Sequence, residues 1–211
     1  MKKEIYVIRH GETDYNKQGI IQGSGVDTSL NATGRAQAQA FFGRYEDYPF
    51  EVVLTSRLKR THETVAPFIE SGLPWEQFAA INEMCWGEHE GKVCTPEMHE
   101  DYKYINAEWK KGNFDARIRG GESVTEMAAR CGDFKQQLAQ RSESHILVCA
   151  HGRLIRCLMC VLLDEPLTRM DEFGHSNTGL YQLTYNNGRF RLNLSNDTAH
   201  LSQQVEEIIA L

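Results

Sequence analysis

The sequence predicts an α/β fold: a three-layer αβα sandwich with a mainly parallel central sheet and an antiparallel edge strand. Three observations carry this. Wholly apolar runs at Ile5–Ile8, Val52–Leu54 and Ile146–Ala150 suit strands buried on both faces. Segments with helical spacing of apolar residues alternate with these runs. Near the C-terminal end the period switches to two, around an Asn187-Gly188 turn.

Taken in order, Ile5-Tyr6-Val7-Ile8 forms the first strand. A loop follows, then a helix over Arg35–Tyr45. Val52-Val53-Leu54 is the second strand, with a helix from about Leu58 to Ile69. Ser123-Val124-Thr125-Glu126 reads as a capping box that opens a helix running to about Leu138. Ile146–Ala150 is the third buried strand and leads into an apolar helix around Leu154–Leu163. Tyr181, Leu183 and Tyr185, then Phe190, Leu192 and Leu194, alternate with polar residues and make a hairpin. Val205, Ile208 and Ile209 share one face of an expected helix over Gln203–Leu211. With 211 residues and no linker, repeat or low-complexity tract, a single domain over 1–211 is expected.

Composition excludes several functions. Hydrophobic residues make up 41% and charged residues 25%, which fits a folded globular chain rather than a disordered one. A net charge of −6, without a basic stripe, argues against nucleic-acid and membrane-surface partners. The longest apolar run, Cys157–Leu163, is too short to span a bilayer. The start at Met1-Lys2-Lys3 lacks a secretory pattern, so a cytoplasmic location is expected. The six cysteines suggest no disulfide framework and are read as inert, largely buried thiols.

The unusual residues fall just past the strand ends. Arg9-His10-Gly11-Glu12-Thr13 follows the first strand, Thr55-Ser56-Arg57 the second, and His151-Gly152 the third. Ligands of open parallel sheets bind at the carboxyl ends of strands. Arg9, His10, Arg57 and His151 can therefore converge on one crevice. Arginines bind phosphate oxygens with a planar fork of donors. A neutral imidazole can attack phosphorus, and neighbouring cations keep it neutral. Gly11 and Gly152 would let the backbone approach a ligand. The combination suits phosphoryl transfer without a metal.

Arg9-His10-Gly11-Glu12-Thr13 with Asn16 resembles the signature of the histidine phosphatase superfamily, also called phosphoglycerate mutase-like. So, in order, do Gln22-Gly23, Asp27, Ser29-Leu30 and Gly34, Thr55–Thr61 with Glu63-Thr64, and Glu83 with Trp86-Gly87 and Glu90-Gly91. Gly121-Glu122-Ser123, Ala150-His151-Gly152 and Asn196–Leu201 complete the set. The resemblance implies that His10 becomes phosphohistidine, and that Arg9, Arg57 and His151 hold the phosphoryl oxygens. It implies that Asn16 helps bind the group and that Glu83 is the general acid, then the base that activates water. Burial near Met84 and Trp86 would favour a protonated Glu83. Glu12 is read as a positioning residue, and Gln22 and Gly23 as lining the phosphate pocket. His62, His89, His99, His145 and His175 match no catalytic position, and His200 is read as structural.

The Gly120–Ser123 segment and the Asn-Asp-Thr-Ala-His-Leu ending resemble the phosphatase branch, acting on a small phosphorylated substrate with no metal and no cofactor. The alternative is a mutase dependent on 2,3-bisphosphoglycerate, which Trp109-Lys110-Lys111 faintly echoes. A catalytically inactive binding module is a third reading, disfavoured because His10, Arg57, Glu83 and His151 are all present. Residues about 92–120 are expected to form a lid or substrate-specificity insert, whose basic residues either bind a second anion or form a solvated face. The substrate's identity and the oligomeric state are not encoded in any recognisable pattern.

Overall fold

A computed structural model describes residues 2–202. Its strands are β1 (Lys3–Arg9), β2 (Val52–Thr55), β3 (Trp75–Gln77), β4 (His145–Ala150), β5 (Leu180–Asn186) and β6 (Arg189–Asp197). Its helices are α1 (Asp14–Gln18), α2 (Ala32–Tyr45), α3 (Lys59–Glu70), α4 (Pro96–Lys110), α5 (Val124–Gln140) and α6 (Gly152–Leu163). The strands form one sheet in the order β3-β2-β4-β1-β5-β6. β3, β2, β4 and β1 run parallel, and the β5–β6 hairpin is added antiparallel beside β1.

Alternation along the strands separates two cores. Ile5, Val7, Val52, Leu54, Ile146 and Val148 face α5 and α6, where Met127, Phe134, Leu154 and Leu158 are fully buried. Tyr6, Ile8, Val53, Leu147 and Cys149 face α2 and α3 through Phe41, Val65 and Phe68. The sheet thus has a helical layer on each side, as the apolar runs predict.

Most element limits lie within a few residues of the expected ones. The capping box at Ser123 and Glu126 forms, each side chain satisfying the other residue's backbone N–H. Asn187 and Gly188 both take positive φ, 50° and 78°, which a tight hairpin of this kind requires. The expected hairpin forms, and its strands β5 and β6 make the antiparallel edge. α1, β3 and α4 are additions that the sequence does not announce. The expected C-terminal helix over Gln203–Leu211 lies outside the described residues. No helix among the described residues is long and apolar enough to cross a membrane.

Candidate active site

The sheet order determines what meets what. The chain leaves β1, builds β2 and β3 further out, and then returns to insert β4 between β1 and β2. The register pairs Arg9 with Ala150 and Thr55 with Cys149. The next residues, His10, His151 and Ser56, are therefore side by side at the carboxyl edge. The two imidazole rings lie 5.3 Å apart, centre to centre. The backbone is tied across the strand ends, His10 N–H donating to Ala150 C=O at 3.0 Å.

His10 is buried, and its orientation determines its tautomer. Nδ1 lies 2.7 Å from the Gly11 carbonyl oxygen. A carbonyl can only accept, so Nδ1 carries the hydrogen and Nε2 of the neutral ring keeps its lone pair. Burial holds the His10 proton affinity well below the usual imidazole range, and the charges of Arg9 and Arg60 push it further down. The ring is thus neutral, with an unprotonated nitrogen. Burial ranks ahead of the neighbouring cations as the cause, where the sequence suggested the cations alone.

The second guanidinium at this cluster belongs to Arg60, not to Arg57. Arg57 is exposed, and its backbone N–H donates to Asn82 Oδ1. Arg60 is fully buried one turn further on, in α3. Its Nε donates to His151 Nδ1 at 3.1 Å, Nη1 to Val26 C=O at 2.7 Å and Nη2 to Gly23 C=O at 3.2 Å. Five donors less these leaves one N–H on each terminal nitrogen for a ligand. The signal was present in the sequence, because Arg60, Thr64 and Phe68 recur at helical spacing on the buried face of α3.

Arg9 donates from Nη1 to the His175 carbonyl at 2.6 Å and approaches His175 Nδ1 at 3.3 Å. Burial pushes the Arg9 guanidinium down to about 10, partly offset by the charge of Glu83. Arg9 Nε is buried without a hydrogen-bond partner among the described residues. His175, which no sequence motif marks, is thus part of the site. Burial and Arg9 push its proton affinity down to about 4.

His151 departs from its expected role. Nδ1 accepts from Arg60 Nε, so Nε2 carries the hydrogen and donates to Ser56 Oγ at 2.8 Å. Both nitrogens are engaged within the protein, and the ring fixes Arg60 rather than presenting a free donor. Burial, then Arg60, keeps it neutral. Gly152 opens α6 directly behind it.

Glu83 is buried. Its Oε1 accepts from the backbone N–H groups of Met84 at 2.8 Å and Leu154 at 2.9 Å, and its Oε2 from that of Arg153 at 3.1 Å. The carboxyl thus sits on the N-terminus of α6 and accepts from the first backbone N–H groups of that helix. Its oxygens meet backbone donors rather than the apolar wall expected from Met84 and Trp86. Glu12, by contrast, accepts from Asn31 Nδ2 at 2.8 Å and fastens the loop to α2, the positioning role expected of it.

The remaining site residues support the loop more than they line a pocket. Asn16 Oδ1 accepts from the Thr13 backbone N–H and hydroxyl, closing the capping box of α1 and leaving Nδ2 as its donor. Gln22 Nε2 donates to Thr13 Oγ1 at 2.8 Å. Gly11 N–H is spent on Thr64 Oγ1 at 2.9 Å, and a Cβ on Gly11 would come within 2.6 Å of the Gly34 carbonyl. Gly11 therefore serves close packing against α2 and not ligand approach. A Cβ on Gly23 would lie 2.7 Å from the Met84 carbonyl and 1.8 Å from Glu90 Oε1. Its glycine makes room for that carboxylate beside the carbonyl that holds Arg60.

The basic residues of the 92–120 segment turn outward. Lys103 pairs with Glu100, Lys111 with Glu108 and Arg117 with Glu126, while Trp109 is buried beneath Arg153. These ion-paired side chains form a solvated face. Cys131, Cys149, Cys157 and Cys160 are buried, but Cys85 is half-buried and Cys94 exposed, so the thiols are not uniformly sequestered. Among the described residues no group of His, Cys, Asp or Glu is gathered as a metal would need. A cavity of about 490 Å³ at the β5–β6 hairpin holds none of the groups above. The site is located by chemistry and not by volume.

A sequence model of the histidine phosphatase superfamily (branch 1) matches residues 5–198. A protein of Schizosaccharomyces pombe named as a probable phosphatase is 32% identical over 167 residues, covering 77% of this chain and 74% of that protein. The alpha-ribazole phosphatase of Shigella flexneri superposes with a TM-score of 0.81 at 25% identity, over 92% of this chain and 96% of that one. A mycobacterial glucosyl-3-phosphoglycerate phosphatase, solved with VO3, does so with a TM-score of 0.82 at 27% identity, over 93% and 100%.

Proposed function

This chain belongs to the histidine phosphatase superfamily, and we propose that it hydrolyses small phosphomonoesters through a phosphohistidine on His10, without a metal or cofactor. The observation that carries the route is the fixed tautomer of His10: Nδ1–H is held by the Gly11 carbonyl, and Nε2 is unprotonated beside two buried guanidiniums. The orphaned Arg9 Nε and the spare N–H groups of Arg60 give phosphoryl oxygens the donors they need.

In the first half-reaction the Nε2 lone pair forms a bond to phosphorus as the bond to the ester oxygen breaks. Glu83 gives its proton to that departing oxygen. Oε2 is the donor atom, since Oε1 already accepts from two backbone N–H groups. In the second half-reaction Glu83 takes a proton from water, the water oxygen attacks phosphorus, and the N–P pair returns to Nε2. The products are an alcohol and inorganic phosphate. Charge on the transferring group is met by Arg9 and Arg60, so no metal is required.

The mutase alternative needs cations for a second acidic group, and the ion-paired Lys103, Lys111 and Arg117 give it no support. Six unpaired thiols suit a reducing compartment such as the cytoplasm.

The test is a trapping experiment. Quenched at high pH during turnover of p-nitrophenyl phosphate, the wild type yields a phosphoprotein that is lost in acid, and His10→Ala yields none. EDTA leaves the rate unchanged. Labelling that survives in His10→Ala, or an acid-stable phosphoester, overturns the route.

A further inference from the structure

Between α4 and the loop after α1 lies a cavity of about 340 Å³, within the range of small-ligand sites. Ile21, Trp86, Met98, Tyr102 and Ile118 supply most of its wall, and no Lys, Arg, Asp or Glu lines it. Its polar lining is Gln22, His89, Cys94, His99 and the Tyr102 hydroxyl, most of them engaged elsewhere. His89 Nε2 lies 3.3 Å from Asp101. The Tyr102 hydroxyl accepts from Arg153, whose guanidinium shares Asp171 with Arg156 and lies over the rings of Trp86, Tyr102 and Trp109, behind the cavity wall.

Two links join this cavity to the catalytic loop. Gln22 lines it, and the Gln22 amide is fixed by Thr13 on one side and Thr28 on the other. Thr13 is three residues from His10. Trp86 lies three residues beyond Glu83, and the Arg153 guanidinium that touches its ring extends from the α6 turn whose N–H groups hold Glu83. The cavity is therefore tied to the catalytic loop by one hydrogen bond and to the α6 turn that holds Glu83 by one ring contact.

We propose that this cavity holds the alcohol part of the substrate, and that the enzyme's substrates are phosphomonoesters of an apolar, aliphatic or aromatic alcohol. The inference rests on the phosphatase reading above. It follows from the lining: a carboxylate or second phosphate placed there would lose water and meet no Lys or Arg on the wall. A hydrocarbon chain or ring there loses only water contact.

The test uses n-alkyl phosphates from ethyl to hexyl, whose leaving alkoxides are of nearly equal basicity. The matching n-alkylphosphonates, which cannot be hydrolysed, report binding alone. Each added methylene should raise kcat/KM, and tighten phosphonate binding, by about three- to fourfold while the chain is inside the cavity. Cys94→Trp, which places a bulky ring at the cavity's exposed end, should flatten both slopes. Ile21→Ser is the second variant and should lower them. Hydrolysis with no dependence on chain length overturns the inference. So do slopes that survive both substitutions, which would place the chain instead in a separate cavity of about 360 Å³ lined by Asn82, Glu83, Glu122 and Arg130. Phosphonate binding that steepens with chain length, without hydrolysis of any ester, keeps the cavity and overturns the phosphatase reading.

Discussion

Arg60 and Arg117 are the same residue type used in opposite ways. Arg60 is fully buried and spends its donors on His151 and on the carbonyls of Val26 and Gly23. Arg117, in the segment that carries α4, is on the surface with its guanidinium paired to Glu126. Water screens the second charge, and solvated pairs of this kind are worth little. The first acts on its neighbours through a medium that screens poorly, and it is one cause of the lowered proton affinity of His10. The strand ends thus hold buried charge beside His10, and the segment that carries α4 holds charge that keeps a surface wet. Counting cations along the sequence cannot separate these roles. Burial can.

The comparison is tested most severely at the two arginines after β2. Arg60→Ala removes buried donors from the transferring group and should cost about 10²–10³ in kcat. Arg60→Lys should recover little, because an ammonium cannot span His151, Val26 and Gly23 together. Arg57→Ala, on the surface, should stay within about twofold. The pH profile gives an independent reading. His10 attacks only when unprotonated, and its proton affinity lies below the usual imidazole value near 6.5, so the acid limb of wild-type activity should fall below that pH. In Arg60→Met one depressing charge is gone. The His10 proton affinity then rises, and the acid limb moves to higher pH with the same ester, while burial keeps part of the depression. A larger loss in Arg57→Ala than in Arg60→Ala would reverse the assignment.

Glu83 against Glu12 is the next contrast. Alkyl phosphates leave as strongly basic alkoxides, whereas p-nitrophenyl phosphate leaves as a stabilised phenolate. Glu83→Gln should slow alkyl phosphates by about 10²–10⁴, the scale of a positioned general acid. Phosphorylation by the nitrophenyl ester should suffer less, and phosphoenzyme should accumulate, visible as a burst of nitrophenolate. Glu12→Gln breaks a tether to Asn31 and should show no dependence on leaving group. The reverse pattern would make Glu12 the acid and leave Glu83 as a cap on α6.

Much of the scaffold is legible in the sequence, because its signals are local. Val52–Leu54 and Ile146–Ala150 are apolar runs that suit a buried strand, and Ser123-x-x-Glu126 satisfies its own helix end. The elements the sequence does not announce have weak local signals. β3 is three exposed residues, and α1 is five residues closed by Gly19 at φ 66°. The site divides in the same way. His10, His151 and Glu83 stand in motifs. His175 is placed by distant contacts: Asn196 Oδ1 accepts from the Ser176 N–H at 2.9 Å, and Gly174 and Gly179 leave room for the Asn196 side chain. That brings the loop before β5 under Arg9, a contact that spans 166 positions of the chain. No periodicity reports it. Arg60 is hidden for a different reason: Arg57 stands nearer the strand end in sequence, but the first turn of α3 buries Arg60 and leaves Arg57 in solvent.

The smallest expected effect completes the contrast between buried and solvated charge. Lys103, Lys111 and Arg117 each meet a carboxylate three to nine positions away along the chain, on the outer surface of the insert. Replacing all three by Ala removes cations that water already screens, and none of them lines the cavity beneath α4. Phosphomonoester hydrolysis should therefore change by no more than about twofold in kcat/KM, for neutral alkyl phosphates and for phosphoglycerates alike. Adding salt to the wild type should be equally mild, since exposed charges further apart than about 10 Å are screened at 0.1 M ionic strength. A drop of tenfold or more confined to phosphoglycerates would mean that these side chains leave their carboxylates and reach a second acidic group in the bound state. The insert would then contribute charge to the chemistry as Arg60 does, and the mutase reading would return.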